Sequence, residues 1–190
     1  MYQNLLAKLG RTLESNGIPY MVIGGQAVLL HGEPRLTRDV DITLGVDASA
    51  LHRVLAAVGQ IGLSPVRSDV VDFVRRTNVL PLAEAVSGIR VDLIFSFTPY
   101  ESEAIRRAVG VNFDDVTVRF ASVEDLIIHK LVAGRPRDIE DIAGILARNS
   151  SLDDAYLTLW LTSFREIVHR DLVEQFRILC GQRDATQEIQ

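Results

Sequence analysis

The sequence predicts an α/β (α+β) core followed by a helical C-terminal part, on three observations. Segments of strand character and segments at helical spacing mix through the first two thirds of the chain. Helical spacing alone fills the last third. The stretch Asp-Val-Asp-Ile-Thr-Leu, residues 39–44, alternates polar and apolar residues strictly, which is the period of a strand. The expected boundary lies near Ser122: a core over residues 1–121 and a helical region over 122–190 packed on it.

The elements follow in order. Tyr2 to Leu13 puts Leu5, Leu6, Leu9 and Leu13 at helical spacing, and Asn16-Gly17 ends that helix. Tyr20 to Ile23 reads as a short buried strand, broken by Gly24-Gly25, and Gln26 to Leu30 as a short helix ending near His31-Gly32. Ser49 to Val58 is helical. Val70 to Val74 and Val79 to Ala83 read as two strands, and Arg90 to Phe95 as a third. Glu101 to Val109 reads as a short helix and Val116 to Phe120 as a last strand. Ser122 is placed to cap a helix over Val123 to Val132, with Glu124 and Asp125 at its positive end. Asp138 to Leu146, Leu152 to Val168 and Leu172 to Leu179 complete the helices, and the polar tail Gln182 to Gln190 is expected to fray.

Composition narrows the class. With 190 residues, 47% hydrophobic and 24% charged, the chain reads as a folded domain able to bury a core. A single cysteine, Cys180, excludes an internal disulfide and points to a reducing, cytoplasmic location. Its neighbours Phe176, Ile178 and Leu179 offer nothing to activate a thiol, so it reads as a small apolar residue. No basic start with a long apolar run marks a signal peptide. No stretch approaches the roughly 18 apolar residues of a membrane span, so no membrane partner is expected. The net charge of −5 means that any nucleic-acid contact must use a local basic patch, for which Arg35, Arg38, Arg75, Arg76, Arg106 and Arg107 are the candidates.

Residues 21–44, Met-Val-Ile-Gly-Gly-Gln through Arg-Asp-Val-Asp-Ile-Thr-Leu, carry the chemistry. A buried strand delivers Gly24-Gly25, where the backbone can approach a ligand closely, and the helix start beyond them offers N–H groups to a phosphate. Asp39 and Asp41 share one strand face, while Val40 and Ile42 point to the core. Two adjacent carboxylates repel unless a cation lies between them, and Mg²⁺ favours such oxygen ligands. A third acid on another strand would complete a two-metal set. Asp92, set between Val91 and Leu93, is preferred to Asp72 and Glu84 because its segment repeats the buried-strand alternation.

This pattern resembles the signature of the DNA polymerase beta-like nucleotidyltransferase superfamily: Gly-Gly, a spacer, acid-hydrophobic-acid, then a third acid. The longer form, Gly24-Gly25-x-Ala27 followed by Gly32, Arg35, Thr37, Asp39 and Asp41, resembles its AbiEii/AbiGii branch, which includes bacterial toxins. So does the stretch from Asp125 through Lys130, Arg135, Arg137 and Asp138 to Asp141; the likeness spans about Ile18 to Leu146. The resemblance implies a nucleotidyltransferase fold with a mixed sheet flanked by helices. It also implies Asp39, Asp41 and Asp92 as catalytic and metal-binding residues, with two Mg²⁺ ions. Gly24, Gly25, Arg35, Thr37 and Lys130 are then the nucleotide contacts. The implied substrate is a nucleoside triphosphate such as ATP, and the implied acceptor an RNA (tRNA) end or a protein, with an antitoxin as a further partner.

Plainer readings stand beside these. Lys130 also fits an exposed helix position, and Arg135 and Arg137 a helix C-terminus. Asp138 fits an N-cap, and Asp141 a local partner for Arg137. His31 reads as a turn residue; His52, His129 and His169 lack companions at ligand spacing, so no zinc site is expected. Trp160 and Phe164, four apart, read as packing. Two other classes share the residues: a catalytically silent regulatory module, and a small-molecule transferase of the antibiotic-modifying kind.

Overall fold

The structure is a computed structural model and describes residues 1–113 and 115–187. The chain divides into two compact units, Met1–Gln26 with Leu36–Ala121 and Ala27–Arg35 with Ser122–Gln190. The expected division at Ser122 leaves out one segment: Ala27–Arg35, early in sequence, clusters with the C-terminal helices.

The strands are β1 (Tyr20–Ile23), β2 (Asp39–Leu44), β3 (Leu63–Pro65), β4 (Val79–Glu84), β5 (Arg90–Phe95), β6 (Val109–Phe113) and β7 (Val116–Phe120). The helices are α1 (Tyr2–Ser15), α2 (Gly24–His31), α3 (Leu51–Gly59), α4 (Val70–Thr77), α5 (Pro99–Arg107), α6 (Val123–Ala133), α7 (Pro136–Arg148), α8 (Asp154–Val168) and α9 (Leu172–Gln187). This is the mixed α/β architecture expected from the sequence.

Among the described residues the strands all belong to the first unit and form one sheet in the order β3-β4-β5-β2-β1-β7-β6. The pairs β2–β5 and β1–β7 are parallel, and the other neighbours antiparallel. Alternation sorts the side chains as the sequence suggests. Val40, Ile42 and Leu44 on β2 and Val91, Leu93 and Phe95 on β5 are fully buried on one face. Helix α1 packs on β7 and buries Leu5, Leu9 and Leu13, each worth roughly 2 kcal/mol of burial.

Two expectations change here. Residues 70–74 are not a strand but the start of α4. Their apolar run is too short for periodicity to decide, and the charges decide instead: Asp72 sits in the first turn and Arg75 and Arg76 in the last, complementing the helix dipole. Asn78, with φ 55°, ends α4 in the left-handed conformation. Strand β6 takes Val109, which the sequence assigns to the preceding helix, because Pro99 and Thr98 start α5 early with a capping box to Glu101. Gly110 and Asn112 disguise β6 as a turn, yet a Cβ at Gly110 would come within 2.7 Å of Thr117 Cγ2 on β7. The glycine permits that cross-strand approach. The short edge strand β3 carries no signal beyond Leu63.

In the second unit, α6 packs against α7, α8 and α9. Ser122 caps α6 by accepting from the Asp125 N–H, as its position suggests. Buried Asp125 accepts from Ser122 Oγ and from Tyr156 Oη, each at 2.7 Å. The N-cap of α7 is Arg135, not Asp138; Asp138 instead accepts from the Arg135 N–H three residues back. Tyr156 and Trp160 meet edge to face on α8, with centroids 6.4 Å apart. Helix α9 runs Leu172–Gln187, past the Leu179 end expected from the sequence, and the last residues, 188–190, lie outside those described. Among the described residues no helix is long and apolar enough to cross a membrane.

His129 on α6 is part-buried, and burial together with adjacent Lys130 pushes its pKa down to about 4. The unfolded chain therefore takes up a proton near 6.5, where the folded chain does not. Stability should fall progressively between 6.5 and about 4 and level off below. Urea unfolding across that range should show a shallower slope for His129→Leu than for the native chain.

Candidate active site

Register assembles the site. In the parallel pair β2–β5, Asp41 lies opposite Asp92 and Asp39 opposite Arg90. On the other side of β2, Ile23 at the end of β1 is the partner of Asp41. Register partners share a sheet face, so Asp39, Asp41 and Asp92 stand together on the face away from Val40, Ile42, Val91 and Leu93. Asp39 is exposed, and Asp41 and Asp92 are part-buried. Asp72, the rival acid, is exposed on α4 and pairs with Arg75. Glu84 ends β4 and accepts from Ser87.

The glycine turn closes on the acids. Gly24 follows β1 with φ 61°, and a Cβ there would lie 2.1 Å from Asp41 Oδ2. Only glycine combines that conformation with that approach. Gly25 is buried next to it, at the start of α2. Buried Gln26 donates its Nε2 to the Asp39 carbonyl at 3.3 Å, and buried Thr37 donates its hydroxyl to Asp39 Oδ1 at 3.1 Å. Sequence reasoning misses Gln26. Its side chain returns to β2 across a loop, and spacing carries no signal for that.

Two features fit a cation at these oxygens. Asp92 Oδ1 is buried with no hydrogen-bond partner among the described residues, which is costly for a carboxylate. The donor set is all carboxylate, the chemistry that hard divalent ions take. Among the described residues the three acids do not converge as a closed ligand set, and one oxygen of Asp39 is taken by the Thr37 hydroxyl. Burial pushes the Asp92 carboxyl above its usual range. Arg90 opposes the rise, and the Asp39 charge adds to it.

The other two predicted nucleotide contacts lie in the second unit. Lys130, 8% exposed, donates Nζ to Asp138 Oδ1 at 2.8 Å and to Asp141 Oδ2 at 2.7 Å. Arg35 grips Asp141 through Nε at 2.7 Å and Nη2 at 2.9 Å. Asp141 therefore pairs with Arg35 and Lys130 and not locally with Arg137. Burial raises the Asp141 carboxyl, but hydrogen bonds and charge from Arg35 and Lys130 prevail and hold it below its usual range. Of the basic-patch candidates, Arg75 pairs with Asp72, Arg76 with Asp69 and Arg106 with Glu103, which spends those charges locally.

The fold is one shared with nucleotidyltransferases. Residues 3–158 match the family described as "Nucleotidyltransferase of unknown function (DUF6036)", and the chain belongs to that family. It is accordingly a transferase. No curated protein matches the chain in sequence. Two solved structures share the fold. One is an antigenic nucleotidyltransferase-like protein from Paracoccidioides brasiliensis, 19% identical over 86% of this chain and 87% of that one, with a TM-score of 0.54. The other is ANT(2")-Ia in complex with adenylyl-2"-tobramycin, 17% identical over 87% of this chain and 97% of that one, with a TM-score of 0.57.

Two outcomes are expected. In chelator at neutral pH, Asp92→Asn should raise the melting temperature by about 2 °C by removing a disfavoured buried charge. Because the native group titrates above its unfolded value, that gain should shrink as pH falls into the carboxylate range. Asp141→Ala should cost about 3 kcal/mol in urea unfolding, since Lys130 is left buried with one partner and Arg35 with none of the two bonds it makes to Asp141. The contribution of Asp141 is complete above the ordinary carboxylate range and is lost as pH falls through its lower folded value.

Proposed function

We propose that the protein moves a nucleoside monophosphate from a nucleoside triphosphate to an acceptor hydroxyl. The observation that carries this is the register placing Asp41 opposite Asp92, with Asp39 on the same face beside the Gly24 turn. Asp39, Asp41 and Asp92 would hold Mg²⁺, two ions in the full arrangement, which when bound stabilise charge on the attacking and leaving oxygens. The N–H groups of Gly24, Gly25 and the start of α2 bind the triphosphate. Thr37 and Gln26 hold Asp39 and its strand end in place. The acceptor oxygen forms a bond to the α-phosphorus, the bond to the pyrophosphate oxygen breaks, and the hydroxyl proton passes to the Asp92 carboxylate. Lys130 and Arg35, committed to Asp138 and Asp141, act by holding the second unit together.

The likeness of residues 18–146 to the AbiEii/AbiGii branch supports a macromolecular acceptor, an RNA end or a protein, and a toxin role with an antitoxin partner. Adenylyl transfer to a small molecule is the second reading, supported by the complex of the similar ANT(2")-Ia structure with adenylyl-2"-tobramycin.

The test is transfer of label from each nucleoside triphosphate, ATP first, to total RNA, protein extract or tobramycin, with Mg²⁺ or with chelator. Asp39→Ala and Asp41→Ala should each lower the rate by at least about a hundredfold. Transfer unaffected by both substitutions, or native protein that binds no Mg²⁺-nucleotide, would sink the reading.

A further inference from the structure

A cavity of about 400 Å³ in the first unit is lined by Val66, Arg67, Phe73, Pro81 and Arg90. Its place in the sheet is fixed by register. Pro81 on β4 is the partner of Asp92, and the Val66 N–H donates to the Pro81 carbonyl at 3.1 Å. Arg90 precedes Asp92 by two residues and lies opposite Asp39. The cavity therefore opens on the face that carries the acids, on the β4 side of Asp92, while Gly24 lies on the β1 side of Asp41.

The lining has a definite chemistry. Its charged groups are two guanidinium ions, in a chain whose net charge is −5. Arg67 is fixed by two bonds to Asp69, from Nε at 2.8 Å and from Nη2 at 2.9 Å, and lies 4.6 Å over the Phe73 ring. Asp69 offsets part of its charge, but its Nη1 makes no hydrogen bond among the described residues. Arg90, exposed at the rim, makes no ion pair among them either. A fixed guanidinium stacked on an aromatic ring presents both a planar surface and phosphate donors. A polycationic acceptor such as an aminoglycoside meets repulsion here, where its recognition needs carboxylates.

We propose that this cavity seats the acceptor, and that the acceptor is a nucleotide whose phosphate meets Arg90 and Arg67 and whose base lies against Phe73. This deepens the transfer reading and rests on it. The acceptor's ribose hydroxyl then attacks the α-phosphorus, its proton passes to Asp92, and pyrophosphate leaves. The nucleotide is free or is the 3′ end of an RNA, and the assay separates the two.

Binding is read by fluorescence anisotropy with a labelled short single-stranded oligoribonucleotide, with AMP and tobramycin as competitors, in parallel with Mg²⁺-dependent ATP binding. The expected result is an affinity that falls about tenfold in Arg67→Ala/Arg90→Ala and is largely restored by Arg67→Lys/Arg90→Lys, with ATP binding within about twofold of native. The loss of two cationic contacts should also flatten the salt dependence. Competition by AMP comparable to unlabelled oligoribonucleotide identifies a free nucleotide, and weak AMP competition identifies an RNA end; either supports the proposal. Native protein that binds ATP with Mg²⁺ but binds the oligoribonucleotide no better than the alanine variant, or that is displaced by tobramycin alone, overturns it and leaves the transfer reading intact. Failure of ATP binding in the native chain removes both.

Discussion

The parallel pairing of β2 with β5 is the constraint on which the site depends. Side-chain direction repeats every two residues, so a slip of one residue would send Asp92 into the core and Val91 or Leu93 to the open face. The slip is blocked by burial. Val40, Ile42, Leu44, Val91, Leu93 and Phe95 have essentially no exposed surface, and turning them outward would forfeit roughly 1.5–3 kcal/mol each. The hydrophobic face thereby sets where the acids stand. The carboxylates themselves oppose the arrangement, as the buried, unpartnered Asp92 oxygen shows. Core packing thus fixes the strand positions from which the three acids face the open side of the sheet.

A few polar contacts brace that set, and a separate network holds the second unit. Thr37 and Gln26 act on Asp39, and Gly24 makes room for Asp41. In the second unit, two acids and two cations, Asp138, Asp141, Lys130 and Arg35, close a network across α6, α7 and the Ala27–Arg35 segment. A network with both acids doubly or singly matched is tolerated when buried, whereas removing one member strands its partner. Arg148 and Asn149 add bonds to the Gly32 and His31 carbonyls, so the segment is held at several points. This explains why a stretch early in the sequence belongs structurally with the last helices.

Much of this is legible in the sequence, for reasons that differ by element. Asp39-Val-Asp-Ile-Thr-Leu and Arg90-Val-Asp-Leu-Ile-Phe are long enough for alternation to reveal both strand and face, so the residue pattern alone sets the acids apart from the core side chains. Their mutual register is not legible, because pairing is a non-local choice. Helix α4 reads as a strand because four apolar residues around Asp72 fit either period, and the deciding charges sit at its ends. Strand β6 is hidden by Gly110 and Asn112, residues that favour turns in isolation. Lys130 is visible as a cation on α6, but its two carboxylate partners on α7 come from the packing of those helices. The ambiguity of α4 matters most for the site, because that helix brings Phe73 beside Arg67.

The sheet order gives the proposed chemistry its direction. Across β4-β5-β2-β1, the cavity with Arg67, Phe73 and Arg90 lies at one end, Asp92 and Asp41 in the middle, and the Gly24 turn with the α2 N–H groups at the other. In-line displacement at phosphorus needs the attacking oxygen and the departing pyrophosphate on opposite sides of the reacting atom. A row of acids flanked by the glycine turn proposed to take the triphosphate on one side and a cationic pocket on the other would supply that polarity. The acid nearest the pocket is Asp92, whose register partner Pro81 lines it. The acids nearest the turn, Asp39 and Asp41, are the more solvated or backbone-braced pair suited to hold an ion against the triphosphate. The same strands could not exchange these roles without moving the glycine turn from β1 to β4. That asymmetry is the structural argument for a nucleotide acceptor entering from the β4 side.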